Sequence, residues 1–276
     1  MSDTLTAAAP AAAADRLPPV GRLLARQVGY QLRLLARNPR ALWLSLLAPG
    51  LLLALRIGRV SHGGGTSPAL TAAVAGLSAF GLIGTCYITH AIGLTAARQD
   101  GVLRRWRSSP LPRWGYFAGR IIATMLLGIG SGAVIVGVGV GMAGIHLSAG
   151  AVLALVILFL MAAAAWAAVG TAVTALIPTA QGANPILLFT YLPLILFSGG
   201  FGSINGLPHW LGTLMSYLPG EPLIDGAAKA LQHTGGGLAP MSARDLGVLA
   251  AWAVIGLLAS IRFFRWDPTR PAHARR

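Results

Sequence analysis

Six apolar runs, separated by short charged or glycine-rich segments, set the pattern of this chain. They extend from Ala41 to about Gly58, Ala69 to Ala97, Ile121 to Gly144, Ala151 to Ile177, Asn184 to about Ser198, and Ala243 to Phe264. About 20 apolar residues cross a bilayer as a helix, so the pattern predicts an all-α membrane protein with six transmembrane helices between residues 41 and 264. The second run is long enough to span with tilt. The first and fifth are short, the first interrupted by Pro49 and Gly50, the fifth opening on Asn184-Pro185 and carrying Pro193. Residues 17–40 follow another period. Arg22, Arg26, Arg33 and Arg37 recur at helical spacing among leucines and Tyr30, which predicts a basic amphipathic helix at the membrane surface, ended by Asn38-Pro39. A plain juxtamembrane anchor explains this helix as well as any specific role. Residues 1–16 read as a disordered tail without signal-peptide order, because the first basic residue, Arg16, comes after the alanines. Residues 201–240 hold apolar stretches too brief to cross. They suit short re-entrant or interfacial pieces on the outer side, with Trp210 and Tyr217 at headgroup level. Residues 265–276 form a basic tail.

Composition narrows the class. The chain is 55% hydrophobic and 10% charged, with a mean hydropathy of +0.69, whereas soluble domains carry about 25% charged residues. Its net charge of +14 does not indicate nucleic acid, since the cations cluster at the ends of apolar runs. With both termini inside, 17 of the 21 Lys and Arg fall on the cytoplasmic side and Arg56, Arg59, Lys229 and Arg244 outside, which sets the orientation. The single cysteine, Cys86, makes an intrachain disulfide impossible. None of the seven carboxylates falls at the centre of a run, which weakens proton- or sodium-coupled transport. Glu221 and Asp225 at i, i+4 are read as a solvated face rather than a metal pair. The only lysine, Lys229, lies in GAAKAL, so no phosphate loop ending in Gly-Lys-Ser/Thr is present. The expectation is a non-catalytic membrane subunit that binds no metal or cofactor.

Polar positions inside the runs are few. Ser78, Thr85 and Thr89 form a stripe on the second run, for which helix-to-helix hydrogen bonds are a simpler reading than a substrate track. With Asn184 and Tyr191 they are the candidate substrate-pathway residues. His90 reads as a hydrogen-bonded or interfacial histidine rather than a proton carrier. Gly128 with Gly132, and Gly137 with Gly141, are small-xxx-small pairs suited to close helix packing.

The segment from Arg98 to Arg120 lies between two bilayer-length runs and holds six arginines. Asp100-Gly101 predicts a turn, Val102 to Arg107 about two helical turns, and Ser108-Ser109-Pro110-Leu111-Pro112 a stop. Asp100, Gly101, Leu103, Arg104, Ser109, Pro110 and Leu111 resemble the coupling segment of type-2 ATP-binding-cassette permeases, in which an acidic residue and Gly precede Leu, basic residues and Ser-Pro-Leu. Gln99 stands where many members carry a further acid. The stretch QLRLLARNPRALW is similar to the family's connecting helix and first span, and Arg262-Phe263 to Trp266 to its closing tail. Glu221-Pro222-Leu223 matches only loosely.

The resemblance implies an exporter permease of the daunorubicin or multidrug-resistance type in a bacterial cytoplasmic membrane. Two such chains, identical or different, would form a pathway for a drug, antibiotic or lipid-like substrate. ATP and Mg would be bound by a separate ATPase subunit. Arg98, Asp100, Gly101, Leu103, Arg104, Trp106, Ser109 and Pro110 would form the ATPase-coupling site, with Leu103 and Trp106 as apolar anchors in the ATPase groove. A stand-alone secondary transporter or channel is the alternative.

Overall fold

The computed structural model describes residues 20–37, 49–55, 68–107, 113–197 and 209–264, together with 47 and 58. Among these residues the secondary structure is helical, with no strand. The labelled helices are α1 (Val20–Ala36), α2 (Pro68–Gln99), α3 (Val102–Arg107), α4 (Arg113–Ala143), α5 (Ala149–Val173), α6 (Ala180–Phe197), α7 (His209–Met215), α8 (Glu221–Gln232) and α9 (Ala243–Phe263). Residues 49–55 are also helical. Four stretches are long and apolar enough to cross a membrane: α2, Trp114–Met142 of α4, α5 and α9. Half of the expected first span, including Arg56, lies outside the described residues, as do Arg59, Ser109, Pro110 and both terminal tails.

Boundaries differ from the sequence reading where polar residues misled it. Arg113 to Arg120, assigned to the loop, are instead the opening turns of α4, which runs unbroken for 31 residues. The fifth run does not begin at Asn184-Pro185. α6 starts at Ala180 and passes through both Pro185 and Pro193, although each ring removes one helical hydrogen-bond donor. In the segment 201–240, α7 and α8 supply two short helices. Side-chain caps start two of the longer helices: Ser148 accepts from Ala151 N–H at 3.1 Å and Ser242 from Asp245 N–H at 3.4 Å. Gly101, with φ of +71°, supplies the left-handed turn between α2 and α3.

α2 is the most enclosed of the long helices and α9 the least. α4, α5 and α8 all pack on α2, and α9 packs chiefly on α5. Inside α2, Gly84–Thr89 is π-helical, and glycines of two neighbours press on this wider turn. A Cβ on Gly170 of α5 would sit 3.1 Å from the Cys86 carbonyl oxygen and 3.2 Å from that of Tyr87, and a Cβ on Gly128 of α4 would collide with Cys86 Sγ. Gly132 makes room for the Phe159 ring. Gly137 and Gly141 meet nothing within 4 Å among the described residues, so the second glycine pair packs no described helix. On α8, Asp225 ion-pairs with Lys229 one turn on. Burial holds the Glu221 carboxyl above its ordinary range, with Asp225 and Asp245 adding and Arg244 opposing.

α9 approaches the α5 backbone closely at Gly256. A Cβ on Gly256 would lie 2.7 Å from Val169 N and 2.8 Å from Ala168 C, atoms that cannot swing aside. Gly256→Ala is therefore expected to cost about 1–3 kcal/mol, read as a lowered thermal unfolding midpoint in detergent. Gly137→Ala, facing open space, should leave the midpoint nearly unchanged.

Candidate functional site

Polar groups buried among apolar helices must find partners inside the protein, and following them leads from the Arg98 segment to the π-helical turn. Arg98 ends α2 and is 2% exposed. Its guanidinium donates to the Thr174 carbonyl at 3.1 Å and to the Ile177 carbonyl. These carbonyls follow the last turn of α5, where a helix leaves acceptors unpaired and carries partial negative charge. Arginine suits the place because two donors of one planar fork reach two carbonyls at once.

Thr174 Oγ1 donates to the Thr171 carbonyl at 2.6 Å, and Thr171 Oγ1 to that of Ala167 at 2.8 Å. Thr171 Oγ1 also meets His90 Nε2 at 2.9 Å, while His90 Nδ1 meets Thr124 Oγ1 at 3.1 Å. Thr124 in turn donates to the Arg120 carbonyl at 2.9 Å. Two rows of bonds thus join the same three helices: Arg98 binds α2 to the end of α5, and His90 binds α2 to both α4 and α5. His90 is a hydrogen-bonded histidine, and its partners are neutral hydroxyls.

The π-helical turn carries a further connection. Tyr87 Oη and Thr190 Oγ1 on α6 are 2.8 Å apart, and Tyr191 Oη donates to the Phe80 carbonyl at 2.9 Å. Tyr191 is buried between the helices and its ring lies 5.4 Å from that of Phe80. Asn184 is exposed. The polar stripe does not make the helix-to-helix bonds expected of it. Ser78 and Thr85 are buried but donate to Ala75 and Gly81 carbonyls of their own helix, at 2.8 and 3.0 Å, and Thr89 is half-buried.

The segment after Arg98 is held from inside. Leu103 of α3 is fully buried against Leu94 and Tyr116, with Trp106, Phe117 and Phe264 around them. Trp106 and Tyr116 have ring centroids 5.4 Å apart, Tyr116 and Phe117 5.7 Å, and Phe117 and Phe264 4.9 Å. This aromatic row crosses from α3 over α4 to the residue after α9. It corrects the expectation for Leu103, which anchors α3 to the chain's own core, because a leucine already packed on all sides has no surface to offer another protein; Trp106 packs on the same cluster but stays half-buried. Arg98 likewise faces inward. Asp100, Arg104 and Arg105 are exposed, and Gly101 forms the turn.

Sequence reasoning missed Thr124, Thr171 and Thr174. The signal was depth. Thr124 lies about three turns into α4 and Thr171 in the last turn of α5, level with His90, and Thr174 follows α5 at the height of Arg98; the search for a charged partner of His90 passed over hydroxyls.

Comparison with known proteins agrees with this arrangement. The family model for ABC-2 type transporters matches residues 26–231, which includes α1 through most of α8. No curated protein matches the chain. The matched region covers well over half of the sequence and contains the hydrogen bonds described above from Phe80 to Tyr191, so the chain belongs to the ABC-2 type transporter family as a membrane-spanning permease component.

Proposed function

We propose that this permease works in an ATP-driven exporter of the bacterial cytoplasmic membrane, with a separate ATPase subunit docking on the turn and helix at Asp100 to Arg107. The observation that carries this reading is the attachment of that segment. Arg98 ties its root to the end of α5, and Leu103 ties its helix to α2 and α4. A push on α3 therefore reaches three long helices without a compliant joint between them. Asp100 and Arg104 are the exposed polar contacts offered to the ATPase, and ATP with Mg is bound by that partner. A second permease chain, identical or different, completes the pathway for a hydrophobic or amphipathic substrate such as a drug, antibiotic or lipid-like molecule.

Ion-coupled transport has less support. Among the described residues of the four candidate spans, the only carboxylate is Asp245, in the first turn of α9, and His90 is engaged on both ring nitrogens. Proton and sodium carriers ordinarily place an acid deep in a span.

The reading is tested by separating docking from transmission. Asp100→Arg combined with Arg104→Glu should reduce co-purification of the ATPase about tenfold while the chain still inserts and unfolds at its usual temperature. Unchanged recovery of the ATPase would sink the assigned contact. Arg98→Lys keeps the charge but loses the two-carbonyl fork. It should leave the ATPase bound and lower substrate moved per ATP hydrolysed by about tenfold, as expected for losing part of a charge-assisted bond.

A further inference from the structure

α1 turns two faces to different surroundings. Gln27 and Gln31 are buried where the helix packs on α4, and a Cβ on Gly119 of α4 would collide with the Gln27 side chain. Opposite them Arg22, Arg26, Gly29 and Arg33 follow at i, i+4, i+7 and i+11, which is one face of a helix. Gly29 is the break in this row. It puts no side chain between Arg26 and Arg33, and a Cβ placed there would meet nothing within 4 Å. The three arginines, with Ala25, Gly29 and Tyr30, line a groove of about 460 Å³. Arg22, Arg26 and Arg33 are exposed, and among the described residues none of them ion-pairs with a carboxylate. The sequence supplies no acid close by, since no Asp or Glu stands between Asp15 and Asp100.

Depth decides what this groove meets. The stretch Trp114–Met142 of α4 has 29 residues, about 43 Å as a helix, against about 30 Å of hydrocarbon. Its ends therefore stand among lipid headgroups. Gly119, where α1 packs, lies only about 7 Å inside the end at Trp114. Trp114 itself is 50% exposed, as suits an indole at the membrane interface. α1 thus lies at headgroup level, and the excess of cations at this end of the spans assigns it to the cytoplasmic leaflet, where anionic lipids gather. An arginine face at that level is surrounded by phosphates. A planar guanidinium fork matches two phosphate oxygens at once, and the gap at Gly29 admits a headgroup that a longer side chain would hold off. Tyr30, 56% exposed, adds an amphipathic ring at the rim of the same groove.

We propose that the groove on α1 binds the headgroup phosphate of an anionic phospholipid from the cytoplasmic leaflet, with Gly29 as its seat and Arg22, Arg26 and Arg33 as its donors. The site needs neither ATP nor the ATPase, so it stands apart from the function proposed above. It is tested on the full chain in mixed micelles holding equal amounts of phosphatidylglycerol and phosphatidylcholine, with native mass spectrometry counting the lipid retained. Phosphatidylglycerol should be retained about tenfold over phosphatidylcholine. Arg26→Gln combined with Arg33→Gln should abolish that preference. Gly29→Leu, which fills the notch and leaves every charge in place, should lower it nearly as far. Arg37→Gln changes an exposed arginine that does not line the groove and should leave the preference unchanged. A preference that survives both groove variants, in proteins with normal unfolding transitions, overturns the proposal. So does one that Arg37→Gln lowers equally, because the lipid would then read net charge alone. Inorganic phosphate at the lipid's concentration should not displace it, and displacement would reassign the groove to a free anion. If the chain co-purified with its partner proteins holds no phosphatidylglycerol while the isolated chain does, the groove belongs to an acidic protein surface and the lipid assignment falls.

Discussion

An arginine side chain without water around it must be given acceptors, and in this chain Arg98 takes them from the frayed end of another helix. The exchange satisfies a buried guanidinium that would be costly alone in a bilayer, using the Thr174 carbonyl, which also accepts from Ile177 N–H at 3.3 Å, and the Ile177 carbonyl. Removing these acceptors strands the guanidinium. That dependence fixes where α2 ends relative to α5, and the remaining polar contacts of the core are consistent with the resulting alignment. His90 can reach Thr171 and Thr124 together only while the three helices keep their relative heights. The short helix at Val102–Arg107 then inherits a rigid base.

The same economy explains why the interior is built of threonines rather than ion pairs. A threonine hydroxyl can return its proton to a carbonyl one turn back in its own helix, as Thr85, Thr124 and Thr171 do, and still offer a lone pair to a neighbour. It is never stranded. A carboxylate in the same position would need a cation at fixed distance through every conformation. A transporter whose helices move against one another gains from groups that tolerate the loss of a partner, and His90 sits between two such hydroxyls: an imidazole with one N–H donates to one threonine and accepts from the other, which then turns its proton from its own helix to the ring.

Much of the architecture was legible in the sequence because bilayer thickness imposes a length scale on apolar runs. The four candidate spans coincide with predicted runs to within a few residues, except at α4, where Arg113 to Arg120 look like loop but continue a helix whose first turns lie at the bundle's edge. The turn at Asp100-Gly101 and the helix after it were readable from local chemistry. Which face of that helix is buried was not. Leu103 and Trp106 have the composition of a docking anchor and equally of a core anchor, and only the position of Tyr116 and Leu94 decides between them. Nor does sequence tell whether a hydroxyl stripe such as Ser78 and Thr85 turns outward to a neighbour or back on its own backbone.

The π-helical turn at Gly84–Thr89 sets the rotational phase of everything after it in α2. One residue more than the α-helical repeat is accommodated there, which advances everything downstream by about 100° around the axis. His90 and Arg98 both lie downstream, and both owe their facing to that offset. Deleting a single residue from the turn would restore ordinary helical hydrogen bonding and rotate His90 away from its threonines and Arg98 away from α5 in one step. A length change between Ile83 and His90 is thus a change of wiring.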